Sequence, residues 1–434
     1  MTKNITKITF YSIIALGVAM ISACSRQEKE LFELSGTERV EKAMTETADI
    51  LTSASNGWEM NYFTNPEGQG HVLLFKFEKN GVVTVAAKNT ISSSKGTYKT
   101  AQSIWAMDAS QSTVLSMKTY NDVFSIFASP LSDGLGYEGD YEFIVISASP
   151  EEIKLMGKKH RAICTMTPIA SSLAWDTYYA PIDQIKDYVF NGNNSMQFQL
   201  VVNDKVYLPL EYNDMAMSET VQNAFVFPLI VTRTGVDFYD QGILIAENQY
   251  AKHFVLNNEL TRLVCTDAGV NAYIRSAFTI PEYFRFRLQH NFEWQISSTE
   301  NGSVAQAAYN AFAQGLKATN ATLNYLAYTM SADKALALHI RFTVASQRYD
   351  GYYQLTTTEA NDKLTIAYAS ADANGEAALK RAGGNNLDKG ITMLNNLIAG
   401  TFTLASVSGS TLNIQQMYML DENDSEHTLK VFVK

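Results

Sequence analysis

HVLLFKFEKNGVVTV, residues 71–85, reads as two strands folded back on a turn. Apolar residues crowd both arms, and Asn80-Gly81 sits between them. That pair tolerates the positive backbone angles a tight turn needs, so the segment is a β-hairpin by its own local chemistry. The same pattern continues on both sides. WEMNYF (58–63), SIWAM (103–107), STVLSM (112–117), DVFSIF (122–127), DYEFIVIS (140–147), EEIKLMG (151–157) and RAICTM (161–166) are further strand-like runs. NPEGQG, SSSKG, SPLSDGLG and SPE punctuate them with turn residues. Short strands at hairpin spacing predict an antiparallel meander that curls strongly or closes into a barrel. This unit is placed at 37–168, led by a helix. GTERVEKAMTETADILTSASNG carries Val40, Ala43, Met44, Thr47, Ile50 and Leu51 at helical spacing, and Gly57 ends it.

Two further stretches follow. Residues 169–281 hold a helical bridge, with SSLAWDTYYA and QIKDYVFNG, and then strands such as MQFQLVV, KVYLPLEY and FVFPLIVTR. Residues 282–434 mix expected strands (FRFRLQ, ALALHIRFTV, GYYQLTTT, KLTIAYA, TLNIQQM) with helices at 303–318 and 375–399. The fold class is therefore β-rich α+β: an antiparallel, barrel-like N-terminal domain with a leading helix, then one or two β-rich domains with helices. The 22 Phe and 23 Tyr against eight prolines fit many strands.

The N-terminus speaks of location. MTKNITK is cationic, and Ile8–Ala23 carries no charge. As a helix those sixteen residues rise only ~24 Å, short of a ~30 Å hydrocarbon core, so residues 1–23 read as a secretory leader. Ile21-Ser22-Ala23-Cys24 resembles a bacterial lipobox. There the cysteine thiol accepts the lipid, and small residues before it admit the peptidase. Cys24 is the expected lipidation site and membrane lipid the expected partner, with residues 24–36 as tether. Cys164 and Cys265 can pair outside the cytoplasm or remain buried thiols. They lie on apolar runs in different expected domains, so they are expected to be unpaired.

Composition and motifs exclude more than they assign. Net charge is −10, and loss of Lys3 and Lys7 with the leader makes it −12, so no nucleic-acid partner is expected. The longest basic run, Lys158 to Arg161, reads as a solvated rim. Six scattered histidines, without HExxH or CxxC, predict no metal or other cofactor. DENDSE (421–426) begins like a calcium loop, but Glu426 stands where glycine is needed and Phe432 where the last carboxylate belongs. GxSxG and the P-loop are absent. No catalytic residue is expected. With 44 acidic residues, a convergent carboxylate pair keeps open a lipid-anchored hydrolase acting on glycans or peptides. Trp58 and Trp105 lie in strand runs and read as core. Trp175, Tyr178 and Tyr179 form the densest aromatic group, read either as a ligand-stacking platform or as helix packing.

SGTERVEKAMTETADILTSASNGWEMNYF, LLFKFEKNGVVTV, TYNDVFSIFASP and DYEFIVISASPEEIKLMGKK resemble the Bacteroidota lipoprotein family known as domain of unknown function 4302. FPLIVTRTGVDFYDQGILI is similar more loosely, and the last hundred residues carry no resemblance. The resemblance implies an envelope protein often encoded beside outer-membrane nutrient importers of the starch-utilisation type. It supplies no catalytic residues. It also implies that acids soon after the lipidated cysteine, here Glu28 and Glu30 among Arg26 and Lys29, accompany display on the cell surface. The expected function is a non-enzymatic, surface-exposed outer-membrane lipoprotein. It would capture a glycan or peptide nutrient for an importer, or serve that importer as an accessory subunit.

Overall fold

A computed structural model of the chain describes residues 35–110, 112–130, 136–190, 196–213, 216–220, 225–360 and 362–434. The leader, Cys24 and the tether up to residue 34 lie outside the described residues. The hairpin at Asn80-Gly81 forms as its chemistry requires. Gly81 sits at φ +85°, Asn80 accepts from the Val82 N–H at 2.9 Å, and Phe77 pairs with Val83.

Helix α1 (Gly36–Ser53) opens the chain. Its N-terminus is closed by a capping box, Glu38 accepting from the Ser35 N–H at 2.9 Å and Ser35 from the Glu38 N–H at 3.3 Å. Eight strands follow: β1 (Trp58–Phe63), β2 (Gly70–Phe77), β3 (Val82–Lys88), β4 (Tyr98–Ala109), β5 (Thr113–Met117), β6 (Glu142–Ala148), β7 (Ile153–Gly157) and β8 (Ile163–Pro168). Each pairs with its chain neighbour, and β8 returns to β1 with Trp58 opposite Pro168, so the sheet closes into a barrel. An even number of strands lets every pair be antiparallel.

The architecture recurs. After α2 (Ala180–Val189) a second barrel runs through β9 (Met196–Val202), β10 (Lys205–Asn213), β11 (Ala216–Glu219), β12 (Val226–Val231) and β13 (Gly235–Phe238). The hairpin β14 (Ile243–Ala246) and β15 (Gln249–Ala251) stands outside it. Then β16 (His253–Leu256), β17 (Arg262–Cys265) and β18 (Ala272–Ser276) close it on β9. After α3 (Ile280–Gln289) comes a third barrel. Its strands are β19 (Trp294–Ile296), β20 (Ala321–Met330), β21 (Leu336–Val344), β22 (Gln347–Ala360), β23 (Lys363–Ala371), β24 (Gly400–Ser406), β25 (Gln416–Asp421) and β26 (Thr428–Val433). Helix α4 (Ser303–Ala318) is inserted after β19, and α5 (Ala373–Ala382) with α6 (Leu387–Ile398) after β23. The chain is β-rich, with a leading helix and barrel units each introduced by a helix.

Strand β2 shows why its run is apolar throughout rather than alternating. Leu73, Phe75 and Phe77 point into the first barrel. Val72 and Leu74, on the other face, belong to a core shared with Ile182, Ile185 and Val189 of α2 and with the second barrel. Both faces are covered, so both are apolar. Glu59, on the outer face of β1, meets Asp237 and Arg233 of the second barrel at this junction. Burial first, then Asp237, raises its carboxyl from the ordinary 4.5 to about 7, against the pull of Arg233. A carboxyl raised on folding carries no penalty below its ordinary pKa and loses stability as pH climbs through the folded one. Glu59→Gln is expected to stabilise the chain by about 1–3 kcal/mol above pH ~7 and to leave it unchanged below pH ~4.5. Urea melts at the two pH values check this, and an equal effect at both would refute it.

Three strand expectations change. DVFSIF is no strand: Asn121 accepts from the N–H groups of Val123 at 3.0 Å and Phe124 at 3.2 Å. This Asx turn coils the chain into a 3₁₀ turn at Ser125–Ala128, and Phe124 and Phe127 fill the barrel. FRFRLQ lies in helix α3. Its alternation is overridden by the Thr279–Glu282 capping box and Pro281, and Phe284 and Leu288 share the buried helical face. In TLNIQQM only Gln416 and Met417 join β25. The preceding residues cross to the second unit instead, where the Ser410 hydroxyl donates to the Tyr188 carbonyl at 2.7 Å and the Thr411 N–H to Leu260 at 3.2 Å. DENDSE is the polar turn between β25 and β26.

Candidate functional site

Helix α2 bridges the first two barrels and carries two faces. Ile182, Ile185 and Val189 enter the shared core. Asp183, Lys186, Asp187 and Phe190, spaced three and four apart, line the other side. That side closes a cavity of ≈ 480 Å³. Its remaining walls are the start of β2 (Gln69 to Val72), the end of β3 with its turn (Lys88 to Thr90), Tyr179, and Tyr212, Ile230 and Val231 of the second barrel. Pockets of this size at the meeting of domains are where small molecules characteristically bind.

The polar groups converge from three elements. The Lys88 ammonium ends β3 and is paired with the Asp183 carboxylate. The Asn89 side chain accepts from the N–H groups of Ile91 at 3.0 Å and Ser92 at 2.7 Å, which fixes the turn after Lys88. Lys186, half-buried one helical turn after Asp183, is held below the usual lysine range, chiefly by desolvation; Lys88 adds to this and Asp183 opposes it. Burial, helped by the Lys186 charge, pulls His71 down to about 3. His71 is therefore neutral at ordinary pH and suited to hydrogen bonding rather than to carrying charge. The apolar side includes Phe190 stacked on Tyr212, ring centroids 4.2 Å apart. The arrangement offers cations, neutral donors and an aromatic wall, which is binding chemistry.

The aromatic group singled out in the sequence is packing at the foot of this cavity. Tyr178 and Tyr179 are buried, at 5% and 3% exposure, so neither offers an open ring face. The Tyr179 hydroxyl donates toward the carbonyls of Val72 at 3.2 Å and Ala86 at 3.1 Å, pinning α2 to β2 and β3. Tyr178 lies under Arg233, 4.8 Å from ring centroid to guanidinium carbon. The Trp175 indole donates to the Asn56 carbonyl at 2.9 Å and packs against the shared core. Of the three, Tyr179 alone lines the cavity. The residues that sequence reasoning missed are His71, Lys88 and Lys186. The one local trace was the acid–base spacing of Asp183 and Lys186 in the bridging helix.

Two other histidines sit in buried clasps. His339 bonds Glu293 at 2.6 Å and Asp350 at 2.9 Å through its two ring nitrogens. His427 likewise bonds Asp421 at 2.8 Å and the Leu397 carbonyl at 2.9 Å. In both, each ring nitrogen already has a hydrogen-bond partner within the protein. Cys164 and Cys265 are free and buried. Burial pushes the Cys164 thiol up to about 12 and the Cys265 thiol to about 11, away from thiolate reactivity. Among the described residues no group of three or more His, Cys, Asp or Glu is placed to hold a metal ion, and no helix is long and apolar enough to cross a membrane.

Residues 28–258 match the family described as domain of unknown function (DUF4302). The chain belongs to the DUF4302 family. No curated protein matches it. The matched span takes in α1, the first barrel, the bridging helix and the second barrel as far as β16. Every residue lining the cavity falls inside that span, whereas the third barrel lies beyond it. The DUF4302 part of the chain is thus the part that builds the cavity.

Proposed function

We propose that this DUF4302 protein is a lipid-anchored binding protein of the bacterial envelope. It is held through acylated Cys24 on the outer face of the outer membrane and captures a small nutrient for an importer. The observation that carries the binding reading is the ≈ 480 Å³ cavity at the junction of two barrels, where Lys88, Lys186 and His71 converge beside an aromatic wall. The anchor rests on the cationic start, the short apolar run and Ile21-Ser22-Ala23-Cys24. Neither buried thiol is activated, and His339 and His427 are bonded through both ring nitrogens, which favours capture over hydrolysis.

Two measurements test the reading. Native mass spectrometry of the full chain extracted from its own membranes is expected to find a co-purified small solute, lost in Gln69→Trp, which puts a bulky side chain into the cavity wall. A solute indifferent to that substitution, or none at all, would sink the capture reading. Cys24→Ser is expected to release the protein from the membrane fraction, since acyl chains at ~0.8 kcal/mol per buried methylene supply the attachment. Protease added to intact cells should cut the wild type; resistance until lysis would place it on the periplasmic side. Pull-down from solubilised outer membranes should recover an importer.

A further inference from the structure

Resting on the capture reading, we infer that the cavity takes an amphipathic organic carboxylate whose charged end pairs with the Lys186 ammonium. Asp183, the acid one turn before Lys186, is already engaged by Lys88. No hydrogen bond or ion pair of the Lys186 ammonium is found among the described residues. Asp187, the other acid on this helix face, lies at the exposed rim. A half-buried ammonium facing a cavity, with the Asp183 carboxylate shared with Lys88, is costly, because it has lost water and gained only part of a counter-charge. An anion entering the cavity supplies the missing part in a charge-assisted hydrogen bond. The lowered pKa of Lys186, caused first by desolvation, agrees with an ammonium short of counter-charge.

The rest of the wall describes the other end of the ligand. Tyr179, Ile182, Phe190, Tyr212, Ile230 and Val231 form the apolar side. The stacked Phe190 and Tyr212 rings, both largely buried, back this side. A bare inorganic anion would leave this surface unused, whereas a carboxylate on an apolar or aromatic body uses both. Gln69, Asn89 and Thr90 can hydrogen-bond between the two ends. The chain's −10 charge repels anions at long range. Over the ~8 Å Debye length of physiological salt that repulsion is screened, so the local lysines decide.

The test titrates the full chain, purified in detergent, with hydrocinnamate, hydrocinnamamide and inorganic phosphate by calorimetry. Wild type, Lys186→Met and Lys186→Arg are compared. Hydrocinnamate is expected to bind at least about tenfold tighter than its neutral amide. Lys186→Met should abolish that preference and Lys186→Arg should keep it. Lys186→Met removes a poorly solvated charge, so it is expected to melt no lower than wild type, and loss of binding cannot be blamed on unfolding. Equal binding of acid and amide overturns the anion inference and leaves the capture reading standing. Phosphate binding as tightly as hydrocinnamate, and depending on Lys186, overturns the organic ligand in favour of a phosphate site. No binding of any anion also overturns the inference; the fate of the capture reading is then read from the co-purified solute and Gln69→Trp.

Discussion

A Trp58→Ala chain is expected to lose about 3–5 kcal/mol from the first barrel. Trp58 is the first residue of β1, and none of its surface reaches water. It stands at the seam where the barrel closes, paired with Phe75 of β2 on one side and Pro168 of β8 on the other. Its indole N–H donates to the Leu51 carbonyl at 2.8 Å, so the same side chain also fastens α1 to the barrel. Truncation leaves a cavity at the closing seam and an unpaired carbonyl. Trp58→Phe keeps much of the volume and loses the hydrogen bond, so it should cost less, with ~1 kcal/mol of its loss assigned to the bond. The third barrel repeats the device. Trp294 begins β19, is equally buried, and donates to the Phe284 carbonyl of α3 at 3.0 Å. Three barrels need not melt together, so hydrogen exchange resolved along the chain is the proper readout. Trp58→Ala should open residues of the first barrel, and Trp294→Ala those of the third. A loss below ~1 kcal/mol, or one spread evenly over all three, would contradict this account.

Gly390→Val should destabilise the third unit by several kcal/mol, and even Gly390→Ala by about 2–3 kcal/mol. On an isolated helix the alanine substitution would help by ~1 kcal/mol, so the expected sign is opposite to propensity. The reason is close approach. A Cβ on Gly390 of α6 would stand 1.9 Å from the Leu379 carbonyl oxygen of α5, and one on Gly315 of α4 2.1 Å from that of Ala382. Both obstacles are backbone of the same helix, so α5 is gripped from two sides and cannot retreat from one glycine without meeting the other. Gly315→Ala should therefore be costly as well, and the double variant non-additive. Thermal and urea melts of the two single variants and the double measure it. A Gly390→Ala chain as stable as wild type would show that the helices are free to separate.

What the sequence determined by itself was whatever short-range chemistry controls. Asn80-Gly81 makes its turn because the Asn80 side chain and the free φ of glycine act within four residues. Ser35 and Glu38 start α1 in the same way, and WEMNYF and KLTIAYA lie in strands as their patterns say. FRFRLQ misleads because a period of two in four residues is weaker than a capping box just upstream, whose hydrogen bonds fix the helix start. The tertiary structure alone decided that each set of eight strands closes. Closure depends on Trp58 meeting Pro168, and Trp294 meeting Val433, at opposite ends of their units. It also decided that Tyr178 and Tyr179 are buried, since their cover comes from another domain. The cavity was illegible for the same reason. His71, Lys88, Lys186 and Tyr212 belong to four elements, and nothing local to any of them encodes the others. Turns and caps are written in neighbouring residues, but a binding site is written in packing, and packing exists only once the barrels have met.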